Sequence, residues 1–355
     1  MDLLVFHCVP LGVDIEVCEY ILTCVNFFRS IEVVSRDLSH EMKDIIISDF
    51  DDTITSRDTI SLLGELPYLI NPLLNPKWSY FQDAYMSNYH KFQKNPQAFG
   101  AQFAGGRTFP LLCSSNETVT SANFYTLFAT EIRYQQDRRL LEMTSTEEMT
   151  KRGLFKGITH SDICRYVEYD PRIGASLLRN GFMEFISSLD SSEFYIISIN
   201  WSKEFIHEVV GTSNIEASNI FCNELISQNG IYTGKFSNQI LAGSDKLHEL
   251  EKLLRKHQSD ETDNRFWYIG DSETDLLSIL HPKVNGLLLL DPESEKKKLM
   301  KLATEVLGIP LNELKLYVQD KNVLHMKCFS KENGNGFFLV KSWFAIQELV
   351  RPRST

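Results

Sequence analysis

Four short segments carry the reactive side chains, and each follows an apolar run. Asp49-Phe50-Asp51-Asp52-Thr53 comes directly after Ile45-Ile46-Ile47. In an extended turn, Asp49 and Asp51 project to the same side, because side chains there alternate with period two. Two carboxylates in one cleft repel each other, so they need a cation between them or a shared proton. Ser198-Ile199-Asn200 follows Phe194-Tyr195-Ile196-Ile197 and leads to a helix that Ser202 can cap. A hydroxyl and free backbone N–H groups at a helix start make an anion site. Ser244-Asp245-Lys246 opens another helix and presents an ammonium. Gly270-Asp271-Ser272-Glu273-Thr274-Asp275 follows Phe266-Trp267-Tyr268-Ile269, with two acids four residues apart and a glycine for the turn. Asp58 sits in the loop beyond the first acid pair, where substrate recognition and simple solvation have equal claim.

The elements that must hold these segments follow from periodicity. Short apolar strands alternating with helices imply an α/β fold, a parallel sheet covered on both faces, with ligands beyond the carboxyl ends of its strands. A helix over about 175–189 leads to the strand Phe194–Ile197, and a helix from about Lys203 follows. Asn229-Gly230 marks a hairpin. A helix near Ser244, the strand Phe266–Ile269 and the apolar run Gly286–Leu290 complete the series. Between the first two segments, residues 61–168 show helical spacing and many aromatics, Trp78, Phe81 and Tyr85 among them, and are expected to form a mostly α-helical inserted cap. The aromatics read mainly as helix-packing residues. Thr159-His160-Ser161-Asp162 has the form of a capping box. The expected division is an N-terminal extension of unknown role over 1–42, a catalytic core from 43–60 and 169–355, and the cap over 61–168. Folding information is expected to begin near Met42, so a protein lacking residues 1–41 should remain soluble and active.

Composition narrows the function classes. The chain has 355 residues, 43% hydrophobic and 23% charged, the balance of an ordinary globular protein. Thirty-six basic against 47 acidic residues give a net charge of −11, which argues against a nucleic-acid partner. The basic run Lys296-Lys297-Lys298 reads as a solvated helix face. Acidic residues break up the apolar patches of the first forty positions, so no membrane span is expected there. Seven scattered cysteines form no paired motif, which favours a reducing compartment, the cytoplasm or alternatively the nucleus. The triplets at Asn116 and Asn200 read as chance glycosylation matches. No histidine pattern suggests a metal ligand, and neither a dinucleotide nor an ATP phosphate loop is present.

In order and context, the four segments resemble the motifs of the haloacid dehalogenase superfamily: D-x-D-x-T, a Ser after a strand, a Lys, and G-D-x-x-x-D. The resemblance spans roughly residues 44–275 and implies a Rossmann-like core. An insertion between the first two motifs is similar to the helical cap of the phosphoserine-phosphatase-like branch. The run Asp49 to Thr59 also resembles the opening of plant thiamin-monophosphate phosphatases and of bacterial methionine-salvage sugar phosphatases. Ser342-Trp343, in an amphipathic helix, is loosely similar to the plant proteins.

The resemblance implies Asp49 as a nucleophile forming an aspartyl-phosphate, and Asp51 as the acid and then the base. It implies Mg²⁺ held by the Asp49 carboxylate, the Asp51 backbone carbonyl and the Asp271 carboxylate. Asp275 would orient water or Lys246, Ser198 and the Ile199 N–H would bind phosphate oxygens, and Lys246 would neutralise charge. Dehalogenases of the superfamily lack an acid at the position of Asp51, so its presence favours an oxygen leaving group. The expected activity is Mg²⁺-dependent hydrolysis of a small phosphorylated metabolite. The competing expectations are a regulatory or binding protein on a retained scaffold, and a protein phosphatase, which the large insertion disfavours by roofing the site. Asn200, Trp201 and one of Arg133, Arg138, Arg139 or Arg152 are further candidates for the pocket, with Trp201 reading more readily as core.

Overall fold

A computed structural model of the chain describes residues 43–102, 122–174, 176–211, 214–257, 264–331 and 333–351. The expectations for residues 1–42, including the start near Met42, lie outside the described residues. So does the triplet at Asn116.

Among the described residues there are nine strands: β1 (Asp44–Ser48), β2 (Phe194–Ile197), β3 (Ile220–Phe221), β4 (Leu225–Gln228), β5 (Ile231–Phe236), β6 (Arg265–Gly270), β7 (Asn285–Leu289), β8 (His325–Ser330) and β9 (Gly336–Val340). Seven build one sheet in the order β3-β2-β1-β6-β7-β9-β8, parallel throughout except for the β8–β9 pair. β1 lies between β2 and β6, with Ile46 opposite both Phe194 and Trp267. Alternate side chains feed two cores. Ile46, Phe194 and Ile196 pack with Phe182, Phe185 and Trp343 on one face. Ile45, Ile47, Tyr195 and Tyr268 pack with Leu250 and Leu254 on the other. Strands buried on both faces explain the wholly apolar runs in the sequence.

The first four helices after β1 are α1 (Ile60–Ile70), α2 (Trp78–Lys94), α3 (Ala122–Arg152) and α4 (His160–Tyr169). Thr159 opens α4 with the expected capping box: its hydroxyl accepts the Asp162 N–H at 3.2 Å and its own N–H donates to the Asp162 carboxylate at 2.9 Å. Later helices are α5 (Phe182–Ile186), α6 (Lys203–Val210), α7 (Gly243–Lys256), α8 (Leu276–Leu280), α9 (Lys296–Met300), α10 (Leu311–Gln319) and α11 (Trp343–Val350). The β4–β5 hairpin turns through Asn229 and Gly230, both at positive φ, the geometry a tight two-residue turn requires. Among the described residues, no helix is long and apolar enough to cross a membrane.

Two expectations are corrected. The helix expected over 175–189 shrinks to the five residues of α5, because the chain before it pairs with the loop after β1. The Ser56 N–H donates to Leu177 O at 2.7 Å and the Arg179 N–H to Ile54 O at 2.8 Å. Gly181, at φ 85°, then caps the short helix. The strand series does not end with β7 either, since β9 extends the parallel set and β8 closes the edge. β8 is partly exposed and irregular in register between Lys327 and Phe329, so its side chains lack a clean alternation.

Candidate active site

The carboxyl ends of β1, β2 and β6 open on the same edge of the sheet, and the loops leaving them meet there. The Asp49 N–H still bonds to Ile269 O at 2.9 Å and the Ser198 N–H to Phe221 O at 2.9 Å, so both residues are positioned by the ladder itself. Beyond Asp49 the chain turns sharply through Asp52 at φ 56°. Arg179 pins this turn, donating from Nε to Asp52 O at 2.8 Å while its guanidinium forks onto Glu295 at 2.9 and 2.7 Å. The buried Trp343 indole donates to Thr53 O at 3.0 Å.

Asp49 is 5% exposed and held at both oxygens. Oδ1 accepts the Phe50 N–H at 2.7 Å, and Oδ2 lies 2.7 Å from Lys246 Nζ. Lys246 is fully buried, and its ammonium also donates to Asp275 Oδ1 at 2.8 Å. Asp275 accepts in addition from the Tyr268 hydroxyl at 3.0 Å and the Ser272 hydroxyl at 2.8 Å. Asp271 Oδ1 accepts from the Thr53 hydroxyl at 2.8 Å, and Oδ2 pairs with Lys298. The last contact corrects the reading of Lys296-Lys297-Lys298 as one solvated face. Lys296 and Lys297 are exposed, but α9 turns Lys298 inward onto Asp271, with Asp52 3.7 Å away.

Charge in this cluster is unbalanced. Burial raises the proton affinity of Asp49 well above the carboxylate norm, Asp275 and Asp271 push the same way, and Lys246 opposes them. Burial lifts Asp271 to about 6 against the pull of Lys298. Burial would raise Asp275 too, but Lys246 and the hydrogen bonds from Ser272 and Tyr268 hold it low. For Lys246, burial alone would favour the neutral amine, but Asp275 and Asp49 outweigh it and raise its proton affinity. Two carboxyls thus retain more affinity for positive charge than the two lysines satisfy. Asp49, Asp271 and Asp275 each present an oxygen within 4.8 Å of the others, a hard-oxygen donor set of the kind Mg²⁺ prefers. Asp49 and Asp271 line the cavity described below, whereas Asp275 is fully buried and not part of the described lining, which leaves Asp49 and Asp271 as the better-placed donors.

Asp51 is set apart from this cluster. Its Oδ1 accepts the Thr59 N–H at 2.7 Å and the Thr59 hydroxyl at 2.6 Å, and its Oδ2 accepts from Asn200 Nδ2 at 2.9 Å. Burial and then the nearby Asp58 raise it to about 7, where it can both give and take a proton near neutrality. Asp58 itself is exposed, accepts the Ile60 N–H at 2.8 Å and lines the same cavity. Ile199 also lines it. Ser198 is fully buried, with its hydroxyl accepting the Asn200 N–H at 3.1 Å.

The cavity holds about 490 Å³ and includes Asp49, Asp51, Asp271 and Lys298 in its lining. Trp78, Phe81 and Tyr85, three or four residues apart on α2, present one face to it, so these aromatics are not only packing residues. Glu142, Ser145 and Thr146 of α3 face them. Trp201 is 9% exposed and serves both core and cavity. None of Arg133, Arg138, Arg139 and Arg152 is part of the described lining. Arg139 instead pairs with Asp245 at the start of α7. Thr59, Lys298, Tyr268 and Glu142 were missed from sequence. Only Thr59 carried a signal there, as the last residue of the run resembling the plant and bacterial phosphatases.

A family model described as haloacid dehalogenase-like hydrolase matches residues 117–278. The chain is 43% identical over 323 residues to Cold tolerance protein 1 of Saccharomyces cerevisiae, covering 87% of this chain and 98% of that protein. It is 25% identical over 247 residues to a CTO1 family protein of Schizosaccharomyces pombe, covering 65% and 76%. A phosphoserine phosphohydrolase-like protein from Francisella tularensis superposes with a TM-score of 0.40 at 20% identity, covering 78% of this chain and 98% of that one. The chain therefore belongs to the family of Cold tolerance protein 1, among the haloacid dehalogenase-like hydrolases.

Proposed function

We propose that this protein is a Mg²⁺-dependent phosphohydrolase acting on a small phosphorylated metabolite. In this reading the helices within 61–168 form a cap that roofs the cavity, and residues 43–60 and 169–355 form the catalytic core. One observation carries the proposal. Asp49 is locked by Lys246 in the cavity where a separate carboxyl, Asp51, sits with a proton affinity near neutrality.

Asp49 Oδ attacks phosphorus, and the ester P–O bond breaks as Asp51 protonates the departing oxygen. Asp51, now a carboxylate, takes a proton from the water that attacks the aspartyl-phosphate, releasing phosphate and restoring Asp49. Lys246 offsets the negative charge that Asp49 shares with the phosphoryl group, and the Ser198 hydroxyl and Ile199 N–H hold its oxygens. Asp275 keeps Lys246 in place. Asp49, Asp271 and the Asp51 backbone carbonyl would hold Mg²⁺. The ion would supply charge that a phosphate dianion and a carboxylate nucleophile need in order to approach each other.

The direct test is hydrolysis of an aryl phosphate by Asp49→Asn. Turnover should fall by about 10⁴-fold or more, with an unchanged circular dichroism spectrum. EDTA should silence the native protein, and Mg²⁺ should restore it. Wild-type rates in Asp49→Asn would remove this mechanism. An inert native protein across a broad panel of phosphate esters would favour a binding role on the same scaffold.

A further inference from the structure

The cavity has a chemical polarity that bears on what leaves with the phosphate. One wall is aromatic: Trp78, Phe81 and Tyr85 from α2 and Trp201 from the loop after β2. Trp78 and Trp201 meet edge to face at 6.2 Å, and Trp78 lies so close to α1 that a Cβ on Gly64 would fall 2.5 Å from its ring. The wall is therefore fixed by packing, and it offers flat apolar surface to a flat ligand. Beside it, α3 contributes Glu142 with Ser145 and Thr146.

Glu142 is the informative residue. Its Oε1 accepts the Tyr85 hydroxyl at 2.9 Å and lies 3.7 Å from Arg138, which is not part of the described lining. Its Oε2 has no hydrogen-bond partner among the described residues. Burial raises the proton affinity of Glu142 against the pull of Arg138, so this acid gains from any donor a ligand brings. The described lining otherwise carries carboxylates, Asp49, Asp51, Asp52, Asp58 and Asp271, and a single ammonium, Lys298, which is paired with Asp271. No described cation on α2 or α3 faces the cavity to receive a second anionic group. A carboxylate on the leaving group would meet only like charge there, whereas an amine or other N–H donor would meet Glu142.

We infer that Glu142 and the aromatic wall select phosphate esters of flat, apolar alcohols bearing a hydrogen-bond donor or positive charge and no carboxylate. This rests on the phosphohydrolase reading and adds the class of substrate to it.

Three esters of matched shape test it: benzyl phosphate and its para-aminomethyl and para-carboxy derivatives. The native protein should rank them amine, then unsubstituted, then carboxylate. The ends should differ by about 10- to 100-fold in kcat/KM, the worth of one hydrogen bond to a charged group. Glu142→Gln, which keeps the shape, should compress that ratio towards unity. A purely structural role for Glu142 would lower all three rates together. A flat or inverted ranking, or an unchanged ratio in Glu142→Gln, overturns the inference while leaving phosphate hydrolysis intact. Failure of all three esters and of the aryl phosphate overturns the hydrolase reading and this one with it. The ranking is read on the unaltered protein, so it stands even if the variant folds poorly.

Discussion

Replacing Thr59 by valine isolates the control of Asp51. Valine keeps the branched shape that the buried threonine fills and deletes the hydroxyl, which donates to Asp51 Oδ1 at 2.6 Å and accepts from Asn200 Nδ2 at 3.0 Å, while Asn200 keeps its own bond to Asp51 Oδ2. A hydrogen bond to an ionised acceptor contributes about 1.5–3 kcal/mol, and each pKa unit corresponds to about 1.36 kcal/mol. The hydroxyl favours the carboxylate form, so its loss should raise Asp51 from about 7 by roughly one to two units. If Asp51 must be protonated to release the leaving oxygen, kcat/KM falls as pH rises through its pKa. The alkaline limb in Thr59→Val should then lie one to two units, by that same rough reckoning, above the native limb. Ionisation of the substrate phosphate and any bound divalent ion act on both proteins alike, so the difference between the profiles is the quantity to read. Superimposed limbs, or a shift to lower pH, would show that Asp51 does not deliver the proton.

Two further substitutions probe how the site is supported. At Gly270 a Cβ would fall 2.4 Å from Asp275 Cβ and Cγ, so Gly270→Ala must displace the partner of Lys246. A misplacement of about 1 Å costs on the order of 10²-fold in kcat, and a variant with undiminished kcat would show that Asp275 does not position Lys246. Far from the site, the buried Lys331 ammonium donates to the carbonyls of Ile279, His281 and Val284, tying the end of α8 to the start of β7. Lys331→Met strands three buried acceptors and should cost about 2–4 kcal/mol, a fall in Tm of roughly 5–10 °C by calorimetry. An unchanged Tm would mean that burying the ammonium cancels the bonds it makes.

The sequence alone announced the α/β fold and the segments at its strand ends. A strand buried on both faces must be apolar, so any cluster of acids just beyond it stands out against that background. The Asn229-Gly230 hairpin and the Thr159 capping box were equally legible, because each depends on neighbours within four residues. The long helix expected before β2 was not, since its backbone groups are taken by residues more than a hundred positions earlier in the chain.

The same physical reason separates the chemistry that residue types disclosed from the chemistry that needed coordinates. Asp49, Asp51, Asp271 and Lys246 declared their types in sequence, but a residue type does not state a protonation state. Asp51 sits at about 7 because burial and then Asp58 raise it while hydrogen bonds from Thr59 and Asn200 hold it down, and Asn200 is 149 positions away. Lys298 left a run of surface lysines to pair with Asp271, and Glu142 joined Tyr85 across two helices. Local pattern marks which groups are able to react. Burial and long-range pairing decide which are charged, and only the folded chain brings those partners within reach.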